Sequence, residues 1–265
     1  MTKKLKIDYA SDIHLGYWVT NTVNIIKLQK RTEEFARKLI STSNNRDVLV
    51  LAGDFCEYNL QTEWFIDECS RHYKQVIATF GNHDYYLLST NQRRKYMNSI
   101  NRVQELIEYY KDHKNVKMVR NETIEIDSFR FGVTPLWYNI TSEASRYRYR
   151  ATSNDSEYIL TGHYDNWHSL HQEDMAYYNS LENVDCMITH IPPVDPPNNP
   201  HPYSEFYTTT VDELKAPHWI CGHQHNRAEY EKAGTQFHMN PIGYEGEIYN
   251  KTNNFPKLQT LTLCK

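Results

Sequence analysis

No run of apolar residues in this chain is long enough to span a bilayer, which excludes a helical membrane anchor. The N-terminal segment MTKKLKIDYASD carries lysines but no apolar signal core, so no secretion signal is read there. No CxxC pair occurs. Cys56, Cys69, Cys186, Cys221 and Cys264 are odd in number and scattered, and three of them lie in or beside apolar runs. That usage predicts buried, reduced thiols and a cytoplasmic location. Positive charge is not in excess either. A formal net charge of −4 and a sequence pI of about 6.3 argue against a strongly basic nucleic-acid coat. No internal repeat or linker divides the chain, so residues 1–265 read as one domain, with a candidate cap insertion at about 138–178.

What is present is the balance of a soluble globular protein: 265 residues, 23% charged and 39% apolar. Leu5–Ala10 alternates apolar and polar side chains and predicts a first strand. Apolar positions at helical spacing predict a helix over about 21–40, capped by Asn21 or Thr22. A buried strand is expected at 47–52, a helix at 59–72 with Trp64, Phe65 and Cys69 inward, and a strand at 75–80. The next helix, 91–113, has Met97, Ile100, Val103, Leu106 and Ile107 as core positions. Short strands at 116–119, 123–126 and 129–133 should pair antiparallel, because their links are too short for a crossover. A helix at 165–181 and strands at 184–189, 219–221, 235–239 and 258–264 follow. The proline-rich run 192–197 must be a loop.

Side chains of ligand type stand at the ends of five of these strands. The run Val76–Phe80 ends in Gly81-Asn82-His83-Asp84, where glycine lets the chain turn. The first strand ends in Asp12 and His14, two apart and so directed to one side of extended backbone. Asp54 follows Gly53, His190 closes the strand at 184–189, and Gly222-His223-Gln224-His225 closes the strand at 219–221. If the strands lie side by side, Asp12, His14, Asp54, Asn82, His190, His223 and His225 share one rim. That set is too rich in oxygen for a structural zinc site and too large for one ion. It fits two divalent ions sharing a bridging carboxylate. Mixed carboxylate and imidazole donors suit Mn, Fe, Zn or Ni better than Ca or Mg, with Mn favoured. His72, His113, His163, His168, His171, His201, His218 and His238 read as ordinary surface or core residues.

The order D-x-H, G-D, G-N-H-D, a lone His and G-H-x-H resembles the calcineurin-like metallophosphoesterase superfamily over residues 12–225. Asn240-Pro241-Ile242-Gly243-Tyr244 resembles a tail of its bacterial and phage members. The resemblance implies an α/β (α+β) fold: a β-sandwich of mixed sheets flanked by helices, with the dimetal site at the strand C-terminal ends. It implies Asp12, His14 and His225 on the first metal, Asp54 as bridge, and Asn82, His190 and His223 on the second. His83 would stand outside the metal shell, near the leaving-group oxygen, oriented by Glu57 or by Asp84. The implied reaction is phosphoester hydrolysis by a metal-bridging hydroxide that attacks phosphorus in line, with no phosphoenzyme. Tyr58 stands where protein Ser/Thr phosphatases carry Arg, and Glu57 where purple acid phosphatases carry a Tyr ligand. Both departures point away from those branches and towards phosphodiesterases and small-molecule phosphatases.

The segment Arg146-Tyr147-Arg148-Tyr149-Arg150 suggests substrate contacts. Read as extended backbone, it puts the arginines on one face for phosphate and the tyrosines on the other for a base. A solvated edge or loop explains the same pattern equally well. Arg146, Arg148 and Tyr147 are therefore candidate substrate residues, together with Asn82. The expected substrate is a nucleotide-sized phosphodiester or a nucleic-acid end rather than long nucleic acid. The alternatives are a phosphomonoester of a small metabolite and, in another class, a non-catalytic metal-binding scaffold.

Overall fold

The computed structural model describes residues 2–162, 166–197, 204–247 and 255–265. Its strands are β1 (Lys4–Ala10), β2 (Val48–Ala52), β3 (Gln75–Thr79), β4 (Val116–Met118), β5 (Glu122–Ile126), β6 (Phe129–Val133), β7 (Cys186–Ile188), β8 (His218–Cys221), β9 (Ala228–Lys232), β10 (Thr235–Met239) and β11 (Gln259–Cys264). Its helices are α1 (Leu15–Trp18), α2 (Ile25–Ile40), α3 (Asn59–Ser70), α4 (Thr90–Tyr96), α5 (Ser99–Tyr110), α6 (Glu143–Thr152), α7 (Asn154–Tyr158) and α8 (Asn166–Ser180).

The strands form two sheets, ordered β11-β1-β2-β3-β4 and β5-β6-β7-β8-β10-β9. β1 to β4 run parallel, as do β6, β7, β8 and β10, and the antiparallel strands β11, β5 and β9 lie at sheet edges. Parallel strands need cover on both faces, and β2, Val-Leu-Val-Leu-Ala, is buried throughout. Alternation divides its side chains between two cores. Val48, Val50 and Ala52 pack with Phe131, Val133 and Ile188 between the sheets. Leu49 and Leu51 face the other way, into a core with Phe35, Phe65 and Leu106 from α2, α3 and α5. A third core sets Trp219 and Phe237 of the second sheet against Tyr178 of α8. The layers are therefore helix, sheet, sheet, helix, as the motifs implied. A parallel bridge from Ser11 to Pro241 links the chain just past β1 with the chain just past β10.

Several local expectations differ from this structure. α2 is capped by Asn24, whose Oδ1 accepts the Lys27 N–H at 3.0 Å, and not by Asn21 or Thr22. The single helix expected over 91–113 is two helices. Met97 takes a left-handed φ of 66° between them, and Asn98 caps the second by accepting the Asn101 N–H. Met97 is consequently 77% exposed rather than core, and Ile100 is also exposed. Trp64 is only half-buried. β5 and β6 pair antiparallel as expected, but β4 joins β3 in parallel, in the other sheet. The chain changes sheets at Arg120 and Asn121, the latter at φ 59°. The strand β9 was not anticipated. Asp165, His163 and His201 lie outside the described residues. All five cysteines are free, and only Cys264 is exposed. Among the described residues no helix is long and apolar enough to cross a membrane.

Candidate metal centre

Parallel strands in one register deliver their C-terminal ends to one rim, where a ligand site can form. Asp12 and His14 follow β1, Asp54 follows β2, Asn82 follows β3, His190 follows β7, and His223 and His225 follow β8. The connecting backbone is held in conformations side chains rarely adopt. Asp12, His14, Asp54, His223 and His225 have φ of 51°, 45°, 58°, 71° and 49°. Left-handed backbone at non-glycine residues costs on the order of 1–3 kcal/mol each, so it persists only where the surroundings enforce it. The loops also approach one another closely. A Cβ on Gly81 would lie 2.1 Å from Asp54 Oδ1, and one on Gly222 would lie 2.5 Å from Asp12 Oδ2.

The candidate ligands converge in two groups. His14 Nε2 lies 3.0 Å from His225 Nε2, which is 3.5 Å from Asp12 Oδ1. Asn82 Oδ1 lies 3.1 Å from both His190 Nε2 and His223 Nδ1. Asp54 Oδ2 stands between the groups, 3.7 Å from His14 Nε2 and 3.4 Å from His190 Nε2. Their outward partners fix which ring atoms keep lone pairs. His190 Nδ1–H donates to the Ala52 carbonyl at 2.7 Å, His223 Nε2–H to the Phe206 carbonyl at 2.9 Å, and His225 Nδ1–H to Glu247 at 2.6 Å. The inner nitrogens of His190 and His223 therefore present lone pairs to the Asn82 Oδ1 acceptor, an arrangement that calls for a cation or a proton at the shared point. Such outward hydrogen bonds are how metal-binding imidazoles are oriented. Burial, and then the neighbouring His83, hold His14 well below the usual imidazole range. Burial and His190 push His223 down to about 4. Both rings are thus in the neutral form that coordinates a metal. Burial also works against charge on His190, but Asp54 outweighs it and raises the ring to about 10, so a proton fills this point when no ion is present. The donor set fits two divalent cations.

His83 sits beside this cluster. Its Nδ1 is 3.1 Å from Glu57 Oε1, its backbone N–H donates to Asp54 Oδ1 at 2.8 Å, and its ring packs on Tyr86 at 4.3 Å between centroids. Of the two carboxylates considered as its partner, Glu57 is the one in reach. Asp84 does something else: it accepts the backbone N–H groups of Asp54 (2.8 Å), Gly81 (2.8 Å) and Phe55 (3.0 Å) and ties the loops after β2 and β3 together. Asp84→Ala would leave three buried donors unpaired. It should cost on the order of 3 kcal/mol or more in urea unfolding of the metal-free protein. A loss below about 1 kcal/mol would show that the clamp is dispensable.

The Arg/Tyr segment is not extended but forms α6, capped at Ser142, so alternate residues do not share a face. Arg146 Nε donates to the Ile140 carbonyl at 3.3 Å, and Tyr147 is 78% exposed. Arg146, Tyr147 and Arg148 do not line the cleft over the cluster. Asn82 does, with Tyr86, Asp155, Phe206, Tyr207, Tyr244 and others, around a volume of about 380 Å³. Sequence reasoning also missed Arg102, fully buried, which donates to the carbonyls of Cys56 (2.5 Å), His83 (2.9 Å) and Tyr86 (2.9 Å) beneath Glu57 and His83. In sequence it is one polar position beside the apolar stripe of α5. Glu247 and Asp155 carried no signal at all, lying in polar stretches without a motif.

A family model described as calcineurin-like phosphoesterase matches residues 5–227, a span that holds every candidate ligand. An uncharacterized protein of Acanthamoeba polyphaga mimivirus is 22% identical over 268 residues, covering 91% of this chain and 92% of that protein. Among solved structures, the phosphopantetheinyl hydrolase from Mycobacterium tuberculosis superposes with a TM-score of 0.63 at 18% identity, over 97% of this chain and 95% of that one. At that identity the likeness is one of fold.

Proposed function

The chain belongs to the calcineurin-like phosphoesterase family and is a phosphoester hydrolase, and on that premise we propose that it cleaves a nucleotide-sized phosphodiester, such as a nucleotide or a nucleic-acid end. The observation that carries metal dependence is the facing of lone pairs of Asn82 Oδ1 against His190 and His223, next to the convergence of Asp12, His14 and His225. We assign Asp12, His14 and His225 to one cation, Asn82, His190 and His223 to the other, and Asp54 to both, with Mn²⁺ the favoured ion. Two such cations supply charge for the phosphoryl oxygens and a water of lowered pKa.

The chain's own groups do the rest. Glu57 holds the His83 Nδ1–H and leaves the other ring nitrogen to protonate the departing oxygen. Aromatic rings stand on both sides of the cluster: Tyr244 lies 4.6 Å from His14 and 4.7 Å from His225, and Tyr207 lies 5.5 Å from His223. A diester has an organic group on each side of phosphorus, and this two-sided wall supports the diester over the monoester. Residues 138–178 act as a partial cap on one domain, in this reading, because Ser153, Asn154 and Asp155 line the cleft. Buried free thiols support a cytoplasmic setting.

The test adds Mn²⁺, and then Fe²⁺, Zn²⁺ or Ni²⁺, to metal-stripped protein and compares bis-p-nitrophenyl phosphate with p-nitrophenyl phosphate. Faster diester cleavage is expected. Faster monoester cleavage would replace this reading with a phosphomonoesterase acting on a small metabolite. Two bound ions without hydrolysis of either compound would favour a scaffold.

The pH profile tests Glu57 separately. Burial pushes the His83 ring down, but Asp54 and then Glu57 outweigh it and raise the ring to about 9. A proton donor works below its pKa and fails as pH rises through it. Bound cations lower that pKa, so the alkaline limb of the loaded enzyme lies below the metal-free value. Glu57→Gln removes an anion and should move the limb to lower pH. An unmoved limb would remove Glu57 from the proton-transfer pair.

A further inference from the structure

Asn82 has two polar ends, and only one of them can bind a cation. Its Oδ1 faces His190 and His223, each at 3.1 Å. Its Nδ2 donates to Asp155 Oδ1 at 2.8 Å and to the Tyr86 hydroxyl at 3.4 Å. The same Asp155 oxygen accepts the Tyr86 O–H at 2.5 Å, and its other oxygen accepts the Tyr138 O–H at 2.6 Å. Tyr86 spends its proton on Asp155, so its oxygen too can only accept from Asn82. A carboxylate has no N–H to offer, so the Asp155 side admits the NH₂ end of the amide and excludes the carbonyl end. Asp155 is itself buried and pinned in place. Its N–H donates to Ser153 Oγ at 3.1 Å, and its carbonyl accepts from Asn166 Nδ2 at 2.9 Å, at the start of α8.

We propose that Asp155 is a positioning residue that locks the Asn82 amide with Oδ1 towards the second cation, so that the 138–178 segment sets the affinity of that half of the site. The inference rests on the two-cation reading above. The hydrogen-bond partners of Asp155 include neither His190 nor His223 nor any group of the first half-site, and its charge reaches His223, in the second half-site. Its effect should therefore be confined to the second binding step. Asp155→Asn keeps the shape but offers either an oxygen or an NH₂ group to Asn82, and the amide is no longer forced to one orientation.

The test is a calorimetric titration of metal-stripped protein with Mn²⁺, following two binding steps. For Asp155→Asn the second step should weaken by about 10–100-fold, the usual cost of losing an outer partner of a metal ligand. The first step should keep its affinity. Tyr86→Phe removes one hydroxyl from the same oxygen and the acceptor of the second Asn82 N–H. It should show the same selective loss in smaller measure, and it decides the matter if Asp155→Asn does not fold. An unchanged second step in either folded variant overturns the inference. So does an equal fall in both steps, which would make Asp155 a diffuse charge or a folding determinant. A wild-type protein that binds fewer than two ions overturns the two-cation reading itself, and the inference with it. Hydrolysis is not the readout, so a wrong substrate class leaves the result intact.

Discussion

Asp54→Asn should slow hydrolysis in the presence of metal by about 10²–10⁴-fold, while the metal-free variant should be at least as stable as the wild type. Both halves come from one carboxylate. Asp54 is buried, and its Oδ2 faces His14 Nε2 at 3.7 Å and His190 Nε2 at 3.4 Å. Loss of one member of a buried charged set costs roughly 3–5 kcal/mol, which at ~1.36 kcal/mol per factor of ten is about 10²–10⁴-fold in rate if the metal-loaded site bears it. The metal-free fold behaves differently. There, Asp54 needs a proton on His190 to balance it. An amide at the same place keeps an oxygen for the His83 backbone N–H and can turn its NH₂ towards the His190 lone pair, so this pair no longer buries a charge, while Glu57 still balances His83. Active-site groups held at a cost to stability behave in this way when neutralised. Thermal melting without metal, metal titration and diester hydrolysis together check the prediction. Residual activity within tenfold of wild type would remove Asp54 from its bridging role. A metal-free melting point well below wild type would mean the carboxylate holds the fold rather than the ions.

The rim was legible in the sequence because its strands are parallel and buried. Such strands read as short apolar runs, and a ligand-type side chain two residues past the end of the run marks the rim. Asp54 after Val48–Ala52 and His190 after Cys186–Ile188 are found in that way. The pairing of β4 was not legible, because the choice between sheets is made by the turn at Asn121 and by packing, not by Val116–Met118 themselves. At 146–150 the period of two in Arg and Tyr suggested a strand, yet Ser142 at the N-cap and good helix formers after it make α6. Tyr149 is then buried while Tyr147 faces out. Asp155 was invisible for a different reason. Its role comes from a partner 73 residues away, and nothing in the polar stretch around it encodes that distance. Arg102 is the same kind of case, with its partner carbonyls 16 to 46 residues away.

His83→Ala should keep both ions and lose rate by about 10²–10⁴-fold, the range for removal of a positioned proton donor. The alanine retains the backbone N–H that Asp54 Oδ1 accepts, and none of the atoms facing the two shared points is removed. The loss should depend on the leaving group. An alkoxide needs a proton as the bond breaks, whereas p-nitrophenolate leaves with little help. A diester with an alkyl leaving group should therefore suffer most, and bis-p-nitrophenyl phosphate least. The rival reading has a geometric basis, because His14, Glu57 and His83 offer donor atoms that all lie within 4.8 Å of one another. Were His83 a ligand there, its removal would lower metal affinity and slow both kinds of ester alike. The hydrogen bond at 3.1 Å argues for the donor role: a ring whose Nδ1–H is held by Glu57 has its other nitrogen aimed elsewhere, and His83 lines the cleft with Asn82 and His223. Metal titration of the variant, with rates for one aryl and one alkyl diester, separates the two readings in a single protein preparation.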